Sequence, residues 1–201
     1  MSRAFDQNVC GKVRNVVEAH GYRRRSACAF VKDTSEALGM IWFVEGRSHI
    51  AGYFMPRLSV GLRAVGDDIV VLGTDLHLLV APDRFSWYAW GDEGTAPPNV
   101  ASAVEDMERV GFPWLDAHLD LSQLAVALET KASAAQQRDS NTLLFLSHCY
   151  ESQGQLQAAI NAMVRYRSTF TLLDPSGDRA KSIDERESAL KVKLGRTLGR
   201  P

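Results

Sequence analysis

The stretch from Gly21 to Val31 (Gly-Tyr-Arg-Arg-Arg-Ser-Ala-Cys-Ala-Phe-Val) constrains this chain more than any other. Before it, Phe5, Val9, Val13, Val16 and Val17 recur at spacings of four, four, three and one. That spacing predicts one apolar stripe on a helix of about four turns. Gly11 weakens this helix modestly, and Gly21 is a good left-handed stop just past its end. After the stretch, short apolar runs separated by polar turns predict strands as far as about Trp90, and everything beyond Pro98 reads as helix. The gaps between the strand runs are too short for crossover helices, so the sheet is expected to be antiparallel. The predicted fold class is α+β: an antiparallel sheet flanked by helices, then a C-terminal helical hairpin and an extra helix.

The strands are read as follows. Arg23, Arg24 and Arg25 are expected at a helix-to-strand turn, and Ala27 to Lys32 form the first strand. Leu38 to Val44 is apolar on both faces, as a central strand covered on two sides should be. Leu58, Val60, Leu62 and Ala64 alternate with Arg57, Ser59, Gly61 and Arg63, which predicts one buried and one wetter face. Further strands are expected at Ile69 to Leu72, Leu76 to Val80 and Phe85 to Trp90, with a turn at Gly66-Asp67-Asp68.

Gly91 to Pro98 is a strong loop signal, and Asn99 can cap a helix carrying Val100, Ala103, Val104 and Met107. Gly111 is expected to end that helix, Pro113 to open another turn, and Asp120 to start a helix bearing Leu121, Leu124, Val126 and Leu128. Ala132 to Ser140 is small and polar, as in a frayed end or linker. Leu143 to Arg167 reads as a helical hairpin broken at Gly154. It resembles one tetratricopeptide unit, with Leu146, Ser147, Tyr150, Gly154 and Ala159 at matching spacings. A polar stretch at Asp174 to Gly177 precedes one more helix around Ile183 to Leu194. Within the chain's 201 residues the expected division is an α+β domain over 1–132 and a helical extension over 133–201 packed on it.

The order of Gly21-Tyr-Arg-Arg24, the aromatic strand Ile41-Trp42-Phe43, the strand Leu58-Ser-Val-Gly-Leu62, the Trp residues at 87 and 90, and Gly111-Phe-Pro-Trp-Leu115 is similar to a known family. It resembles the uncharacterised bacterial family catalogued as Domain of Unknown Function 4304, over roughly residues 5–130. The resemblance implies a helix-flanked antiparallel sheet and nothing catalytic, with no functional residues to carry over.

A formal charge of −1 lacks the basic excess that generic nucleic-acid or anionic-membrane binding needs, so neither is expected as a partner. From Asp178 to Pro201 there are seven Lys/Arg and four Asp/Glu, a local net of 7 − 4 = +3, read as a solvated helix face. No apolar run reaches the roughly 18–20 residues of a membrane span, and the N-terminus lacks a secretory layout, so a cytoplasmic location is expected. Cys10, Cys28 and Cys149 lie far apart without metal spacing and are expected to be buried thiols in a reducing compartment. The five histidines include no close pair, so no metal and no cofactor is expected.

Two classes of function are the main expectations, with a purely homo-oligomeric structural protein as a third option. The first is binding of another protein, by an accessory or immunity-type protein that occludes its partner. Phe85, Trp87 and Ala89 share one face of a strand, while Tyr88 and Trp90 share the other with Ser86. Tyr, Trp and Arg dominate binding hot spots, so Trp90, Tyr88, Arg57 and Arg63 are the expected contact residues. The second class is an enzyme with a site assembled from distant residues, for which His118, Asp116 and Cys28 are the candidates. No known catalytic motif is present, which leans away from an enzyme. A homodimer is compatible with either class.

Overall fold

The computed structural model describes residues 2–66, 69–83, 87–91, 99–134, 141–170 and 178–199. The chain divides into two units, Met1–Gly61 with Leu72–Leu119, and Leu62–Val71 with Asp120–Pro201. Within the second unit, the helix opening at Leu121 packs with the helices that follow it.

In the first unit, helix α1 (residues 3–19) opens where Ser2 Oγ accepts the Phe5 N–H at 3.1 Å. A π turn at Asp6–Cys10 adds a residue to the helix, and Val9 and Cys10 are both buried, along with Phe5, Val13 and Val17. Gly21 stops it at φ +83, with Tyr22 N–H bonded to the Val17 carbonyl and Gly21 N–H to that of Glu18. That is a Schellman closure, which satisfies carbonyls the helix end would otherwise leave open.

Six strands follow: β1 (Arg23–Ser26), β2 (Ala29–Asp33), β3 (Ala37–Glu45), β4 (Tyr53–Leu62), β5 (Val70–Asp75) and β6 (Tyr88–Ala89). They lie in the order β1-β2-β3-β4-β5, with β6 also paired to β4. The sheet is antiparallel as expected, with Arg24 opposite Phe30, Phe30 opposite Ile41, and Phe54 opposite Tyr88. The three arginines form an exposed edge strand rather than a turn. Charge on an edge strand discourages further pairing, which suits that position. β3 is buried along most of its length, as its apolar composition predicts. β4 differs from expectation: Ser59 is only 2% exposed and Gly61 is also buried, so of the face read as wet only Arg57, and Arg63 just past the strand's end, are exposed.

Leu76–Val80 forms a short helix, α2, rather than a strand. An apolar run this short does not distinguish strand from helix by its period. Helix α3 (residues 100–119) runs through Gly111 and Pro113, where the sequence pattern predicts a break, by way of a π turn at Met107–Gly111. A Cβ at 111 would lie 2.9 Å from Met107 Sδ and 3.2 Å from Leu76 Cδ1, so those side chains would have to shift to admit one. The core is a chain of aromatic contacts, with Phe43–Phe54 centroids 6.3 Å apart, Phe54–Tyr88 5.6 Å and Phe5–Trp90 5.2 Å.

The second unit is carried by α4 (Leu121–Ala134), α5 (Thr142–Ser152), α6 (Leu156–Phe170) and α7 (Asp178–Thr197). Asp120 Oδ1 caps α4 by accepting the Ser122 and Gln123 N–H groups at 2.8 and 3.0 Å. Gly154, at φ +73, joins α5 to α6 by a second Schellman closure, as the sequence suggests. Each helix packs against the next in order. Leu156, Ile160, Met163 and Tyr166 of α6 bury against Ile183 and Leu190 of α7, and the small Ser147 and Ala159 lie fully inside. The expectations placed on Asp67 and Asp68, Phe85, Ser86, residues 92–98, residues 135–140 and Asp174 to Gly177 fall outside the described residues.

Candidate protein-binding surfaces

The four residues expected at a partner surface are not equivalent. Tyr88 is in the core at 7% exposure, and its hydroxyl donates to Asp106 Oδ2 of α3 at 2.7 Å. Burial first, and then that carboxylate, pushes its phenol well above the ordinary value. The surface position expected for Tyr88 is thereby corrected: α3 covers it. Trp90 is half-buried with its ring edge-on to Phe5. Arg57 is 51% exposed and its Nε donates to Asp75 Oδ1 at 2.8 Å. Arg63 is exposed and belongs to the other unit.

The three residues weighed for catalysis do not converge. His118 Nδ1 lies 2.7 Å from the Trp114 carbonyl and its ring packs on the Trp114 indole. Asp116 accepts a hydrogen bond from Lys32 Nζ at 2.8 Å. Cys28 is joined to Cys10 in a disulfide, with Cα atoms 5.4 Å apart, so neither is the free thiol expected from sequence. Sequence spacing does not reveal this pair, because it is made by helix α1 meeting the β1–β2 turn. Asp6, Cys10 and Cys28 place their polar atoms within 4.8 Å of one another, but the two sulfurs are bonded together and Asp6 holds Arg24 at 2.9 Å. Cys149 is a free, buried thiol that burial pushes up to about 12, and so is a poor nucleophile near neutrality.

The helical unit offers two concavities that sequence reasoning missed. One, of about 260 Å³, lies among α5, α6 and α7, with Leu144, Met163 and Ile183 against Asn141, Tyr166 and Arg186. Arg186 is already engaged, its Nη2 donating to Glu151 Oε2 at 3.0 Å. The other is an open groove of about 390 Å³ along α4, bounded by Tyr150 of α5 and by Gln153 and Gln155 in the turn that follows it. Its lining carries hydroxyls from Ser122, Thr130 and Tyr150 and amides from Gln153 and Gln155, beside Val126, which is 63% exposed. The amides are positioned by their own bonds: Gln153 Nε2 donates to the Leu121 carbonyl at 2.8 Å, and Gln155 Nε2 to Gln153 Oε1 at 3.0 Å. Glu129, the one charged residue of the lining, is held by Arg165 at 2.6 Å. Neutral donors and acceptors flanking an exposed apolar side chain suit a peptide segment more than a charged metabolite.

Three basic residues of the last helix, Arg186, Lys191 and Lys193, are held in ion pairs, and its acids also hold an arginine of α6. Arg167 of α6 pairs with Asp184 and Glu187, Lys191 with Glu187, and both Arg186 and Lys193 with Glu151. Burial pushes Glu151 up, but Lys193 and Arg186 outweigh it and hold the carboxyl below its ordinary value. No helix among the described residues is long and apolar enough to cross a membrane. Neither a family model, nor a curated protein, nor a solved structure matches this chain.

Proposed function

We propose that this chain is a non-enzymatic protein-binding module, an accessory or immunity-type protein that occludes its partner, and that the groove along α4 and α5 is its contact surface. The observation that carries the reading is the groove itself: about 390 Å³, open, lined by uncharged side chains apart from Glu129, and edged by the exposed Val126. The catalytic alternative is disfavoured by geometry, because His118, Asp116 and Cys28 each serve another partner.

The test is a pair of surface variants measured against the partner recovered from the chain's own source. Val126→Arg with Thr130→Arg fills the groove with charge and bulk on exposed helix positions. Loss of binding of at least tenfold, with the circular dichroism spectrum unchanged, is the expected result. Unchanged binding in that variant together with loss in Arg57→Ala would move the surface to the sheet and reject the groove.

A further inference from the structure

Helix α1 meets the β1–β2 turn at a junction centred on the Arg24 guanidinium. Arg24 Nη2 donates to Asp6 Oδ1 at 2.9 Å and to the Ala27 carbonyl at 2.9 Å, and Arg24 Nε donates to the Ser26 carbonyl at 3.0 Å. Cys10 and Cys28 lie under this cover at 1% and 2% exposure. Their Cα separation of 5.4 Å falls in the middle of the range a disulfide requires. A pair brought together by tertiary packing, shielded from solvent and already bonded is built as a permanent closure. A rapidly cycling sensor needs sulfur atoms that a reductant can reach.

We propose that Cys10–Cys28 is an oxidatively formed clasp that fastens α1 to the sheet, and that the chain matures in a compartment that supplies disulfides. The oxidant is a disulfide donor, either a thiol–disulfide oxidoreductase or glutathione disulfide. One cysteine loses its proton and its thiolate attacks the donor disulfide, forming a mixed disulfide and releasing one donor thiolate. The second cysteine, likewise deprotonated, attacks the mixed disulfide and releases the other donor thiolate. The pair loses two electrons, and the donor leaves as two thiols carrying the two protons. A cytoplasmic location is the natural expectation for three free thiols, and this bond removes two of them.

The inference stands apart from the groove and is tested without it. Cells of the source organism are quenched in acid, and the denatured chain is alkylated without reductant and weighed. The expected result is a single alkylated cysteine, Cys149, and a chain lighter by two hydrogens than its fully reduced form. Three alkylated cysteines would overturn the proposal. With purified wild type, reduction is expected to lower the melting temperature of the sheet unit by about 6–12 °C. Cys149→Ser is expected to keep that difference. An identical melting temperature for oxidised and reduced protein would show that the bond clasps nothing. Because this comparison uses wild type alone, its outcome does not depend on whether Cys10→Ser or Cys28→Ser folds.

Discussion

Lowering the pH from 7 to 5 should destabilise the helical unit through one side chain, His148 on α5. Burial first, and then the Arg186 guanidinium, depresses its imidazole to about 4 from an ordinary 6.5, against an opposing pull from Glu151. The folded value lies below the unfolded one, so the unfolded chain takes up the proton first. Stability is therefore intact above about pH 6.5, is lost as the pH falls from there, and the loss is complete below about 4. Full linkage at pH 5 would amount to about 2 kcal/mol, and partial exposure of the ring screens this to about 1 kcal/mol. Urea unfolding followed by helical circular dichroism at pH 7 and pH 5 measures it. Wild type should lose about 1 kcal/mol more over that interval than His148→Gln, which cannot titrate. If the two proteins lose the same amount, His148 is not the group responsible and the packing assigned around it is wrong.

Three further outcomes follow from the contacts described. Tyr88→Phe removes the hydroxyl that Asp106 accepts at 2.7 Å and should cost about 1.5–3 kcal/mol in chemical denaturation of the sheet unit. Gly46→Ala should be strongly destabilising, by about 3 kcal/mol or more in the same measurement, because its Cβ would meet the Ile50 carbonyl oxygen, a backbone atom that cannot swing aside. Leu146→Ala, in a fully buried position on α5, should cost about 2–5 kcal/mol, read as a lower urea midpoint for helix unfolding.

Period and punctuation carried the parts of the fold that depend on local sequence. The α1 stripe, the stop at Gly21, the doubly buried β3 and the Gly154 break between α5 and α6 are each local, and each is where the pattern places it. What the pattern misplaced depends on neighbours distant in the chain. Ser59 and Gly61 look like a wet face in sequence, yet both are buried in the fold. Gly111 looks like a helix stop until Leu76 and Met107 are seen to crowd it. Tyr88 reads as a surface aromatic because nothing local announces Asp106, 18 residues later. The groove along α4 and α5 was illegible for the same reason, since Ser122, Val126 and Gln153 acquire a shared wall only when two helices pack. Cys10 and Cys28, 18 residues apart, are likewise joined by tertiary packing alone.

The measurement to make is site-specific photo-crosslinking from the groove. A photoreactive amino acid is placed at Val126, and separately at Arg57 as a sheet control, and each protein is irradiated with the partner present. Our reading predicts one covalent product from position 126, mapped by mass spectrometry to a single segment of the partner, and none from position 57. A product from position 57 alone, or none from either position while the partner still co-purifies, would contradict the assignment of the groove as the binding surface.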